Sequence, residues 1–157
     1  MTPGPATVIE FDTAWTRLQE TVKHLSSRDL TDVRDPAGWA VKDHLIHVAL
    51  WERALLASVD GRPRHEALGI DASSDGSEDW DGINAQIFVA NRHRALDDVL
   101  KTLGSTHETT RARLSAAVSG GASVPSPADD KLLADIPGYI EHYDQHRGWI
   151  VELVGSG

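Results

Sequence analysis

Four stretches of this chain repeat apolar residues every three to four positions, and no stretch alternates apolar with polar for long enough to build a strand. That pattern confines the fold to helices, because a period near 3.6 lines up apolar side chains along one face of a helix while a strand needs a period of 2. The first stretch carries Phe11, Trp15, Leu18, Val22 and Leu25 and is expected to end near Ser26-Ser27. The second is expected over 41–59, with a core stripe of Val41, Leu45, Val48, Leu55 and Val59 and an adjoining face of Asp43, His47 and Trp51. The third places Leu96, Leu100, Leu103, His107, Thr110, Leu114 and Ala117 on one face. The fourth is expected over 128–154, its inward stripe being Leu132, Ile136, Tyr139, Tyr143, His146, Ile150 and Leu153. Pro137 falls inside it and should kink it or mark a restart.

The connections are legible from turn chemistry. Residues 28–40 read as a polar connection turning at Asp35-Pro36 and Gly38. Residues 60–81 read as a loop, long for a compact domain and rich in Asp, Ser and Gly, so either functional or a crossover. A short helix is expected over 80–89 and a flexible link over 119–127. The class is therefore all-α, most simply a four-helix bundle forming one domain over residues 1–157.

Composition narrows the chemistry. With no Cys there are no disulfides, thiolate ligands or cysteine nucleophile, which leaves imidazole and carboxylate as metal ligands; any thiol must come from a small molecule. A net charge of -9 without a long basic run argues against nucleic-acid binding. No apolar run is long enough to span a membrane and the first residues lack a signal-peptide pattern, so a cytoplasmic address is expected. A homodimer stays open.

Near the C-terminus, His142 and His146 stand four residues apart. On a helix their Cβ atoms are about 6 Å apart on one face, within reach of one metal ion. The third candidate is His47 in the second helix. Helix rise decides how it could meet them. His47 lies about 9 Å from the start of its helix, and the His142/His146 midpoint about 15 Å from the end of the fourth. Antiparallel packing leaves a mismatch of only about 6 Å, whereas parallel packing leaves about 15 Å. Antiparallel packing of the second and fourth helices requires an up-down-down-up course with the 60–81 segment crossing the bundle.

Gly38-Trp39-Ala40-Val41-Lys42-Asp43 leading to His47 and Trp51-Glu52, then Asn84 with Ile87, then His142-Tyr143-Asp144-Gln145-His146, resemble the DinB-like superfamily of bacterial four-helix proteins, and are most similar to its ClbS/DfsB-type branch. The resemblance spans about residues 7–154 and implies the up-down-down-up bundle. It also implies one divalent metal, zinc or nickel, on His47, His142 and His146. Some members of the superfamily use the metal in thiol-dependent chemistry, such as mycothiol-dependent isomerisation or bacillithiol transfer, and the ClbS-type branch includes a protein that protects its host from a DNA-damaging metabolite. The resemblance thus implies either a metal-dependent enzyme acting on a small molecule, a hydrolase or a transferase with a thiol cosubstrate, or a protein that sequesters or detoxifies a reactive metabolite without turnover.

Other polar residues have plainer expectations. His44 matches no position of the family pattern and reads as a helix-surface residue; His107 reads as a core histidine bonded to a neighbour. Asp43 is either an acceptor for the His47 ring N–H or an acidic residue favoured in a helix's first turn. Trp39 and Trp51 read as core aromatics, one of which could wall a pocket. The acidic residues Asp75, Glu78, Asp79 and Asp81 read as solvated and lack the Gly and Glu positions of an EF-hand.

Overall fold

The computed structural model describes residues 5–119 and 126–155, and no strand occurs among them. Helix α1 spans Pro5–Lys23, α2 Ser27–Thr31, α3 Val41–Val59, α4 Arg64–Leu68, α5 Trp80–Asn91, α6 Leu96–Ser119 and α7 Pro127–Gly155, with a 3-10 turn at Ala72–Ser74. The four periodic stretches correspond to α1, α3, α6 and α7, and the short helix to α5. Most of the expected 119–127 link lies outside the described residues.

Two short helices occupy segments expected to be loops. α2 forms because Ser26 and Asp29 close a reciprocal cap: the Ser26 hydroxyl accepts the Asp29 N–H at 3.1 Å, and the Asp29 carboxylate accepts the Ser26 N–H at 3.2 Å. Its Leu30 is buried. α4 ends where Gly69 takes a left-handed φ of 69°, and it buries Leu68. The 60–81 segment is therefore not a bare loop.

Pro137 does not restart α7, which runs through it. A proline inside a helix costs about 3 kcal/mol. Leu132, Leu133 and Ile136 on its N-terminal side and Tyr143 on the other are all buried, and burying each such side chain contributes about 1.5–3 kcal/mol, enough to offset that cost.

The largest difference from the sequence pattern concerns α3. Only Arg53 of its residues is exposed, and Lys42, Asp43, His44, His47 and Glu52 are buried with the apolar ones. α3 packs against α6, α7, α4, α5 and α2, so it is the central helix and its single-stripe reading was too narrow. In α6 the inward face is Val99, Leu103, Thr106, His107, Thr110, Leu114 and Ala117, while Leu100 faces solvent.

Side-chain pairs fix how the long helices meet. Along α1 and α7 the partners ascend together, Arg17 with Asp144 and Thr21 with Arg147. Along α3 and α7 they run in opposite order, His44 meeting His146 and Glu52 meeting Tyr143. Along α3 and α6 they ascend together again, Arg53 with Thr106 and Asp60, just past α3, with Arg113.

Candidate metal site

α3 and α7 bring His47, His142 and His146 together. One ring nitrogen from each lies within 4.8 Å of the other two. Ring centroids are 5.2 Å apart for His47 and His142, 4.7 Å for His47 and His146, and 4.5 Å for His142 and His146. His47 and His146 are buried and His142 is half-buried. All three line a cavity of about 940 Å³ that also takes in Trp39, Trp149, Asn84 and Gln145.

Burial keeps these imidazoles neutral, because a charged ring would lose its hydration. It lowers the His142 pKa to about 4; at His47, burial and then the neighbouring His142 and His44 lower it to about 3. His146 is pushed further still, by burial first and then by His142, His47 and His44. Neutral imidazole is the ligating form, and all-nitrogen sets of this kind suit Zn²⁺ and Ni²⁺. The residues fit such an ion on a second ground. The buried His47 Nδ1 has no hydrogen-bond partner, a costly state for a ring nitrogen that a metal would relieve.

His44 is not the surface residue its sequence position suggested. It is buried; its Nδ1 lies 3.0 Å from His146 Nδ1 and its Nε2 3.1 Å from Asp35 Oδ2. Burial lowers its pKa, more than the hydrogen bond and charge of Asp35 raise it. Asp35 in turn is held by a tight turn: Oδ1 accepts the Ala37 and Trp39 N–H groups, and Gly38 supplies a φ of 90°. The one signal for His44 was the apolar content of the rest of α3: Ile46, Ala49 and Leu50 lie off the stripe and mark a helix buried on every side.

Of the two readings of Asp43, the helix start wins. Its Oδ2 accepts the Ala40 N–H at 2.8 Å and it makes no hydrogen bond to His47. Trp39 walls the cavity, stacked on Phe88 with centroids 5.5 Å apart, while the Trp51 indole N–H donates to Asn84. His107 is a core histidine as expected, stacked on Trp15 at 3.9 Å and 3.2 Å from the Tyr143 hydroxyl. In the acidic segment Asp75 pairs with His65 and Asp79 caps α5, so neither is merely solvated.

A helical fold, three neutral imidazoles on two of its helices and the cavity they line define a helical protein with a candidate metal centre. The sequence model of the DinB superfamily matches residues 10–150, and the chain belongs to that superfamily. No curated protein and no solved structure matches it. Among the described residues no helix is long and apolar enough to cross a membrane.

Proposed function

We propose that His47, His142 and His146 hold one divalent ion, Zn²⁺ or Ni²⁺, and that the protein is a metal-dependent enzyme acting on a small molecule, either a hydrolase or a thiol-dependent transferase. The observation that carries this reading is the group of three ring nitrogens within 4.8 Å of one another at a cavity large enough for a substrate. When bound, an ion on three imidazoles keeps a coordination position open and supplies Lewis acidity to a water, thiol or carbonyl there. The chain's own residues select what enters. Trp39 and Trp149 offer flat apolar walls, Gln145 and Asn84 offer amide groups, and three carboxylates, Asp35, Asp81 and Glu152, line the cavity against one guanidinium, Arg34.

The fold that carries the site is read here as an up-down-down-up bundle of α1, α3, α6 and α7, with the 60–81 segment as its crossover. The opposite order of contacts between α3 and α7 and the common order between α3 and α6 support it.

A second reading is a ClbS/DfsB-like resistance or binding protein, favoured by the tryptophan walls, which could retain a metabolite without turnover. Elemental analysis of untagged protein, then calorimetric titration with Zn²⁺ and Ni²⁺, separates the two. The enzyme reading expects near-stoichiometric metal, and binding that His47→Ala, His142→Ala and His146→Ala each weaken strongly. A parent protein that binds neither ion would overturn it.

A further inference from the structure

We propose that Asp35 and His44 form a positioning pair that locks His146 in the tautomer protonated at Nδ1, so that its Nε2 lone pair faces the cavity and the other two histidines. This deepens the metal reading above, on which its functional meaning rests, but the tautomer exists in the protein whether or not metal binds.

The argument is one of hydrogen-bond direction. A carboxylate only accepts, so the 3.1 Å contact between Asp35 Oδ2 and His44 Nε2 puts the proton on His44 Nε2. His44 is buried, which disfavours a charged ring, and in the neutral ring protonated at Nε2 the other nitrogen, Nδ1, carries a lone pair and accepts. The partner of that lone pair is His146 Nδ1 at 3.0 Å, which must therefore donate. A neutral His146 protonated at Nδ1 has Nε2 free as a ligand nitrogen. One anchored oxygen thereby sets the polarity of two rings. Asp35 cannot swing away, since its other oxygen is fixed by the Ala37 and Trp39 N–H groups at 3.0 and 2.9 Å.

His44 is not itself a member of the metal group: the nitrogens that lie mutually within 4.8 Å come from His47, His142 and His146. It meets His146 through Nδ1, and such partners of ligating histidines orient the ring and raise its basicity. The Asp-Pro-Ala-Gly-Trp turn at 35–39 thus holds a carboxylate against His44 at the edge of the cavity.

The experiment is ¹⁵N imidazole NMR on the metal-free protein at pH 7.5, with Zn²⁺ titration of the same samples. The parent should show His44 protonated at Nε2 and His146 at Nδ1. In Asp35→Asn the amide NH₂ faces His44, which must accept at Nε2 and donate at Nδ1, so both rings should switch tautomer and Zn²⁺ affinity should fall by about tenfold or more. His44→Gln can donate to Asp35 and accept from His146, and should keep the His146 tautomer and most of the affinity. A parent His146 protonated at Nε2, or an Asp35→Asn protein that is folded with both tautomers unchanged, overturns the inference even if Zn²⁺ binds tightly. Also against it would be His44→Gln losing Zn²⁺ as completely as His47→Ala, the mark of a fourth ligand. The stated tautomers in a parent that binds no Zn²⁺ would uphold the locked ring and sink the metal reading instead.

Discussion

Tyr143 donates a hydrogen bond to Glu52, its hydroxyl 2.6 Å from Oε2, and both side chains are buried between α3 and α7. The carboxyl is almost wholly withdrawn from water, so it titrates as a buried acid. Burial raises its pKa from 4.5 to about 7, against the opposing hydrogen bonds of Tyr143 and Thr110.

Stability should therefore depend on Glu52 in a defined direction. The folded chain holds this proton more tightly than the unfolded one, so the contribution is fully present below pH 4.5 and is lost as pH rises through about 7. The shift corresponds to roughly 3 kcal/mol. Glu52→Gln should be free of that loss: urea titrations of both proteins should find the stability gap moving in favour of the variant by about this amount between pH 4.5 and 8.5. A gap that stays constant over that range would refute the assignment.

The histidines act in the opposite sense. Their folded pKa values, about 3 for His47 and about 4 for His142, lie below the ordinary 6.5, so the stability they confer is full above 6.5 and is lost as pH falls through about 4. Exposed imidazoles would lose a metal near pH 6.5, because protons compete for the same lone pairs. Here competition should begin only toward pH 4. Zn²⁺ transfer to a chromophoric chelator, followed from pH 7 downward, should show retention at pH 5.5; a release midpoint near 6.5 would mean that the rings are solvated.

His107 separates packing from ligation. It lies between Trp15 and Tyr143, with Phe11 stacked at 4.7 Å, and its pKa is lowered to about 4 mainly by burial. His107→Ala should cost about 2 kcal/mol or more in thermal or urea unfolding while leaving Zn²⁺ affinity within twofold of the parent. A large loss of affinity would place His107 in the site.

Lys42 closes a turn. Its ammonium donates to the Arg92 and Arg94 carbonyls at 2.7 and 3.1 Å, tying α3 to the connection between α5 and α6. Lys42→Met keeps most of the stem but leaves those carbonyls short of a donor, and should destabilise by about 1–3 kcal/mol. Hydrogen exchange should quicken first at residues 92–95. Unchanged exchange there would show that the turn holds without it.

The sequence determined the four long helices and the grouping of three imidazoles. Periodicity is a local property: Phe11, Leu18 and Val22, or Ile136, Tyr143 and Ile150, share a face in any environment, and they are buried as expected. His142 and His146 are neighbours by helix geometry alone, and level matching brought His47 to them across nearly a hundred residues. What sequence could not decide depends on how many neighbours a helix has. α3 carries apolar residues off its main stripe, but only packing shows that other helices lie on almost every side of it, and that crowding turned His44 from a surface residue into the link between Asp35 and His146. Only tertiary packing sets how far each ring is withdrawn from water, and hence that the cluster is neutral and that Glu52, a glutamate like any other in the string of letters, keeps its proton to about pH 7.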